Sequence, residues 1–455
     1  MRHKVAYILQ DDIFMTSYIL TVRDHLMFAA AMRLPEALSA AEKTFRVLKV
    51  IEDLGLAHCA DSPLFLVSGG ERKRTSIGLE IIADPLLLLV DEGTSGLDSA
   101  AAAALMRTIK NLSTKLQIPV VQAIHQPSTT VFYSFDKLLL LCFGRIVYIG
   151  SPHGCMAYFS SLGYVPLEGI SVNPADFALE LLHQDYEVDP SLLDKRLPRE
   201  VLLESWELLG ETGRVDKESE AKLETIDIIP PKFDLLEKSV VDNYPVDKEV
   251  LESDNKELKG HGYYPSYYST QFYALLIRAF RTAKSSRFGF LNVAETVILA
   301  LLVGACWYQT PSDEFHLSDL TGYLFLSMIY WFFIGLFQGL LEFLPERPCL
   351  KKEREAGTYH LSAYFFAKCV ATAPVRICLP SLYFFISYPM AVQNPVPAAL
   401  FASAAILVLV SLVGESVGFL VGTLTTREDV AISTATMVAL GMVRNSMLVF
   451  LIYFF

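Results

Sequence analysis

Charge is scarce in this sequence: Asp, Glu, Lys and Arg make up 19% of its 455 residues, against roughly 25% in an average soluble domain. The charge that is present has the wrong sign for a polyanionic partner. Fifty acidic residues face 38 basic ones, a formal net of −12, so no nucleic-acid-binding face is expected. The seven cysteines, at 59, 142, 155, 306, 349, 369 and 378, are odd in number and form no CxxC pair. Neither a disulfide framework nor a zinc site is indicated by that spacing. A secretory leader is not expected either, because Met1-Arg2-His3-Lys4 runs straight into Val5-Ala6-Tyr7-Ile8-Leu9 with no h-region or small-residue cleavage site. What abounds is apolar: 52% of residues are AVILMFWYC and mean hydropathy is +0.37. That argues against a wholly soluble protein and excludes a disordered one.

The apolar excess is unevenly distributed. Residues 1–183 mix apolar runs with charged helices and read as a soluble α/β unit. Residues 184–268 read as an acidic linker; 21 acidic and 11 basic side chains fall within 184–260, together with five prolines. Residues 269–287 predict an amphipathic helix, and 288–455 a helical membrane domain of about five spans. The spans are expected at Gly289–Tyr308, Leu320–Leu344, Ala363–Pro389, Ala398–Leu424 and Val430–Phe455, each able to cross about 30 Å of hydrocarbon as a helix. Arg278, Arg281, Lys284 and Arg287 precede the first span, and Arg347, Lys351, Lys352 and Arg354 lie in the expected loop Pro345–His360. The loop between, with Asp313, Glu314 and Asp319, has no Lys or Arg. This bias places residues 1–287 and 345–360 in the cytosol and 309–319 outside.

Chemistry-bearing residues cluster in the first 150. Leu86–Val90 reads as a buried strand that ends in Asp91 and Glu92, at the edge where α/β sheets bind ligands. Upstream, Ser68-Gly69-Gly70-Glu71-Arg72-Lys73-Arg74 leads into a helical pattern at Thr75–Ile82; a serine and two glycines at a helix start present a hydroxyl and backbone N–H groups to a phosphate. Downstream lie Ser95-Gly96-Leu97-Asp98-Ser99, and His125 after an apolar strand at Val120–Ile124. Gln10 follows another strand, Val5–Leu9. Alone, each of these is ordinary. The order and spacing of all five are not.

That constellation resembles the ATP-binding cassette family, and within it the G subfamily of White-type half-transporters. Ser68–Glu71 looks like the signature loop, Leu86–Glu92 the Walker B strand, Ser95–Ser99 the D-loop, His125 the switch histidine and Gln10 the Q-loop glutamine. Thr21–Asp24, Gly70–Arg74, Ile124–Ser128, Asn173-Pro174-Ala175-Asp176-Phe177 and Glu353–Glu355 followed by Tyr359 mark the subfamily. The resemblance implies an α/β partial ATP-binding cassette, P-loop NTPase-like, followed by an all-α multi-span membrane domain. It implies ATP and Mg²⁺ as cofactors, with Asp91 and Gln10 at the metal, Glu92 as general base and His125 as γ-phosphate sensor. Ser68, Gly69, Gly70, Glu71 and Asp98 would complete the nucleotide contacts. The implied partners are a second G-type half-transporter (homo- or heterodimer), the lipid bilayer and a hydrophobic small-molecule substrate. The implied place is the plasma membrane or an intracellular vesicle membrane, with the cassette in the cytosol.

Departures from the family pattern shape the expectation. No G-x-x-x-x-G-K-[ST] loop occurs in the 455 residues, Gly93 stands where the family usually has proline, and a sixth span and large external loop are not among these residues. A catalytically inactive subunit that regulates or blocks an intact partner is therefore a second expectation, and a membrane scaffold with a dead cassette a third. Within the spans, Glu295, Arg376, Glu415 and Arg444 are candidates for functional intramembrane charges, and the aromatics Tyr323, Phe325, Tyr330, Trp331, Phe332, Phe333 and Phe337 for a substrate path.

Overall fold

A computed structural model describes residues 5–10, 19–165, 173–183, 198–212, 264–286, 290–311, 316–392, 397–425 and 427–454. Three strands, β1 (Val5–Ile8), β2 (Leu87–Asp91) and β3 (Val120–Ala123), form a parallel sheet in that order. Ile8 pairs with Val90 and Asp91 with Ala123, so Gln10, Glu92 and His125 all follow strands at one edge. Side chains alternate along the strands: Ala6, Ile8, Leu88 and Val90 are buried, while Val5 and Tyr7 are 43% and 45% exposed on the other face. The buried face lies in one core with helices α1 (Val22–Arg33), α2 (Ala40–Asp53), α3 (Gly69–Ile81) and α4 (Ser99–Leu116).

A second core surrounds the antiparallel hairpin β4 (Leu138–Cys142) and β5 (Arg145–Gly150). Four helices complete it: α5 (Thr129–Phe132), α6 (Pro152–Ser161), α7 (Pro174–Leu182) and α8 (Pro198–Thr212). Helix α8 corrects the expected linker, which was to begin at 184. Leu202 and Trp206 are buried against the hairpin, the Trp206 ring 5.8 Å from Tyr148 and 5.7 Å from Tyr158. Averaging composition over a long acidic stretch concealed this short apolar stripe. Residues 213–263 of the expected linker lie outside the described residues.

The predicted amphipathic helix is α9 (Tyr268–Ser286). Helices α10 (Phe290–Cys306), α11 (Leu317–Glu355), α12 (Leu361–Ala391), α13 (Pro397–Leu424) and α14 (Glu428–Phe454) stand where five spans were expected. Among the described residues, α11, α12 and α13 are long and apolar enough to cross a membrane. Helix α10 has 17 residues, a rise of about 25 Å, and the side chains of α14 beyond Met442 lie outside the described residues. The expected loop 345–360 is corrected: α11 runs unbroken through Pro345 and Pro348 to Glu355. Proline inside a helix costs about 3 kcal/mol, and the turns beyond these two are anchored by buried Glu346 and Cys349 and by the ion pairs of Lys352 and Glu353.

Helices α11 and α13 meet backbone to backbone. A Cβ on Gly335 would sit 2.3 Å from the Ser411 carbonyl oxygen, and one on Gly339 2.7 Å from that of Glu415; reciprocally, Gly414 lies against Phe332 and Gly418 against Leu336. Two stripes of glycine at four-residue spacing thus interlock, as helices pack where lipid gives no hydrophobic drive between them. The charges expected within the spans separate in the structure. Arg376 and Glu415 are buried and paired at 3.1 Å, Glu295 is exposed, and the side chain of Arg444 lies outside the described residues. Of the aromatics named on α11, Tyr323, Trp331 and Phe332 are buried and Phe325, Tyr330, Phe333 and Phe337 half-buried; Tyr323 bonds Ser387 at 2.8 Å and Tyr383 bonds Ser327 at 2.9 Å.

Gly414→Val should therefore lower stability by about 3 kcal/mol through overpacking, measured by thermal unfolding in detergent. Gly441→Ala, where a Cβ meets nothing within 4 Å, should leave the melting point within about a degree. For topology, a cysteine placed at Ser312 should react with an impermeant thiol reagent on intact cells, and one at exposed Lys351 should not. Native Cys349 cannot report, because it is buried.

Candidate nucleotide site and the cassette–membrane contact

The C-terminal edge of the parallel sheet gathers most of the expected site. Gln10 Nε2 donates to Glu92 Oε2 at 2.7 Å, closing the distance between two residues 82 apart in sequence. Glu92 has φ +42° and Gln126 φ +47°, left-handed backbone at the two turns that leave β2 and β3. Non-glycine residues in that region are uncommon and concentrate at functional turns. Glu92 and His125 line one cleft of about 290 Å³ with Thr94, Ser95 and Ser128. Asp91, the last residue of β2, accepts a hydrogen bond from the Tyr7 hydroxyl at 3.0 Å. That bond holds the Tyr7 phenol above its ordinary value, with smaller contributions from burial and from the Asp91 charge.

The signature loop is a helix N-terminus. Helix α3 starts at Gly69, six residues before the expected Thr75, because Ser68 and Glu71 form a reciprocal capping box. Glu71 Oε2 takes the Ser68 N–H at 2.7 Å and its hydroxyl at 2.8 Å. Burial pushes the Glu71 carboxyl up, but the Ser68 hydrogen bonds and His58 outweigh it, and the value falls to about 2. A Cβ at Gly69 would stand 3.2 Å from the Leu97 side chain, a tight approach that Leu97 would have to relieve. Asp98 spends its carboxylate on the Ala101 N–H at 2.6 Å as the cap of α4. The sheet edge thus unites Gln10, Asp91, Glu92 and His125. Ser68–Glu71 sits instead against the start of α4, and Asp98 serves that helix.

Two residues were missed. Lys73, buried in α3, donates to the carbonyls of Leu9 at 3.0 Å and Gln10 at 2.8 Å, tying the signature helix to the turn that carries Gln10. Tyr7 is the other. An aromatic alternating along a strand and a lysine within a run of basic residues gave no signal of partners 84 and 63 positions away.

Residues 1–95 match the family described as ABC transporter, and residues 125–220 and 270–446 match two families described as ABC-2 type transporter. ABC transporter G family member 22 of Arabidopsis thaliana is 35% identical over 93% of this chain and 56% of its own length. Protein white of Drosophila melanogaster is 29% identical over 95% of the chain and 59% of its own length. The broad substrate specificity ATP-binding cassette transporter ABCG2 of Bos taurus is 32% identical over 83% and 56%. The chain belongs to the G subfamily of ATP-binding cassette transporters. It spans 56–63% of the length of the first five of these curated relatives.

In this ABC-transporter chain the cassette and the apolar helices share a buried ionic contact. Arg33 of α1 grips Glu80 of α3 with both nitrogens, at 2.6 and 3.0 Å, and Lys352 from the end of α11 approaches the same carboxylate at 3.9 Å. Beside it, Arg278 of α9 pairs with Glu353 at 2.9 Å, stacks 3.9 Å over Phe28 of the cassette, and lies near Tyr359, whose hydroxyl donates to Glu353. Arg281 reaches Asp24 at the start of α1, and Thr270 donates to Glu36 at 2.6 Å. Met32, Leu275, Cys349, Tyr359 and Ala367 form an apolar core across the same junction. Burial raises the Glu80 carboxyl, but Arg33, by charge and hydrogen bonds, and then Lys352 bring it below its ordinary value of 4.5.

A carboxylate lowered in the folded state stabilises fully above its unfolded value and loses that contribution as pH falls through its folded value. The junction should hence hold at neutral pH and weaken well below pH 4.5. Glu80→Gln should cost about 3 kcal/mol, since it leaves the half-buried Arg33 guanidinium without its carboxylate, and should abolish that acid-side slope in unfolding measured against pH. Asp61→Asn, at the exposed Arg23–Asp61 pair, should leave the unfolding midpoint nearly unchanged, because solvent screens the pair.

Proposed function

We propose that this chain is one subunit of an ATP-driven transmembrane transporter. It works as a homo- or heterodimer with a second G-type half-transporter and moves a hydrophobic or amphipathic small molecule across the bilayer. The observation that carries this reading is the Gln10–Glu92 hydrogen bond, on a sheet edge that also presents His125 to one cleft.

Asp91 and the Gln10 amide oxygen are hard donors at the same edge, a set suited to Mg²⁺ and not to softer metals. They would hold the ion, which when bound neutralises charge on the transferring phosphoryl. Glu92 takes the proton of the attacking water, and the Gln10 amide orients its carboxylate. His125 hydrogen-bonds the γ-phosphate. Ser68, Gly69 and Gly70, with the N–H groups of the first turn of α3, bind the nucleotide held by the partner cassette; Glu71 and Asp98 keep the two helix starts rigid. Charge displaced at the sheet edge reaches the spans through Lys73, α3 and the Glu80 contact.

A second reading has the chain assist an intact partner's site and hydrolyse nothing itself. Co-expression with a full-length G-type half-transporter and vanadate trapping of Mg-ATP separates the readings. Under both, the chains co-purify, and Gly69→Asp in this chain removes trapping at the partner's site. Under the first, Glu92→Gln in this chain also lowers turnover at least roughly 100-fold; under the second, it changes nothing. If Gly69→Asp leaves trapping intact, or the chains never associate, both readings are wrong.

A further inference from the structure

The spacing of the cysteines showed no metal site, yet the fold assembles one set of soft and borderline donors beside the signature loop. His58 and Cys59 end a short 3₁₀ turn, Ala57–Cys59, and Glu71 stands in the first turn of α3. Among the described residues, these three are the one group whose His, Cys and carboxylate ligand atoms all fall within 4.8 Å of one another. We propose that His58, Cys59 and Glu71 bind a zinc-class divalent cation that fastens the 3₁₀ turn to the signature helix.

The geometry favours this over a simple ion pair in three respects. First, the Glu71 oxygens are already divided in labour. Oε2 holds the Ser68 cap, whereas Oε1 points away from it to His58 Nε2 at 2.6 Å, so a cation bound at Oε1 leaves the helix cap in place. Second, Cys59 is 6% exposed and its thiol has only a long contact, 3.5 Å, to the Leu56 carbonyl. A metal would thus have a sulfur ligand shielded from solvent on one side, and His58, whose side chain is 64% exposed, can swing onto it from the other. Third, one nitrogen, one thiolate and one carboxylate are a zinc donor set. Bond lengths of about 2.0–2.3 Å put tetrahedral ligands roughly 3.5 Å apart, and the three atoms reach that separation with shifts of about an ångström. The fourth position stays open to water. Burial and the Glu71 charge raise the Cys59 thiol, and Arg74 partly opposes them, so binding displaces a proton from sulfur.

One ligand, Glu71, also caps the helix at Ser68, so occupancy would stiffen the loop proposed to meet a partner's nucleotide. Its test is independent of transport. The full chain in detergent is titrated with Co²⁺, and absorption is followed for a thiolate-to-metal charge-transfer band and the visible bands of tetrahedral cobalt. One equivalent should produce both, and Zn²⁺ should erase them. His58→Ala, an exposed change with no folding burden, should lose the bands while circular dichroism is unchanged. Cys59→Ser should lose the charge-transfer band, and Cys155→Ser should keep it. No band in the unmodified chain, or a band that survives His58→Ala or Cys59→Ser, shows that the cluster is an ordinary surface ion pair beside a buried thiol.

Discussion

The carboxylate of Glu80 joins three elements by charge as well as by apolar packing: α1 through Arg33, α3 that bears it, and α11 through Lys352. Its strength comes from geometry that desolvates all three charges together, because a single buried charge would cost several kcal/mol and a paired one costs far less. Since α3 begins at the signature loop, the same rigid helix runs from the proposed partner-nucleotide contact at Ser68 to the membrane-facing contact at Glu80. Lys73, midway along it, is bonded to the turn that carries Gln10. One helix of 13 residues therefore touches signature loop, Q-loop turn and span terminus, and a tilt of that helix would be felt at all three.

The apolar helices of the second half are packed at backbone range. The glycine stripes of α11 and α13 bring backbones so close that neither helix can rotate without collision, which makes the pair a stiff lever. Charges sit where the lever meets its neighbour: Arg376 of α12 bridges to Glu415 of α13 at 3.1 Å, and Lys368 of α12 to Glu346 of α11 at 2.5 Å. In a low-dielectric bundle such pairs specify one arrangement more than they stabilise it. The Arg278–Glu353 pair and the Tyr364 hydroxyl on Glu346 at 2.5 Å continue the chain of polar contacts from the cassette end of α11 toward its apolar middle.

How legible this was depended on the range of the interaction. Strand ends and their carboxylates are local, so Asp91 and Glu92 could be placed at the sheet edge from the sequence, whereas Gln10 and His125 joined them through the order and spacing that resemble the family. Apolar runs are local too, and the five helices fall close to their expected bounds. The helix at α8 failed because Leu202 and Trp206 find their partners on β5 and α6, and composition counts only the acidic residues between. The expected loop 345–360 failed for the opposite reason: Pro345 and Pro348 are local breakers that tertiary contacts overrode. Lys73 on Gln10, Tyr7 on Asp91 and Lys352 on Glu80 are all contacts between segments far apart in the chain, which periodicity cannot register.

Gly93 shows where a local argument needed the structure to correct it. Beside Glu92, glycine in place of the family's usual proline reads as added backbone freedom next to the general base. In the fold the constraint is space. A Cβ on Gly93 would lie 2.7 Å from Val90 Cγ1 and 3.2 Å from Gln122 Nε2, and the positive φ belongs to Glu92, not to Gly93. The Gln122 amide is buried in the same place with neither of its atoms hydrogen-bonded. A proline at 93 would require that amide and Val90 to withdraw, and would also bias Glu92 toward extended backbone, away from the left-handed turn in which it meets Gln10. The glycine therefore goes with this turn: the small residue leaves room for the Val90 side chain and the Gln122 amide beside the left-handed backbone of Glu92.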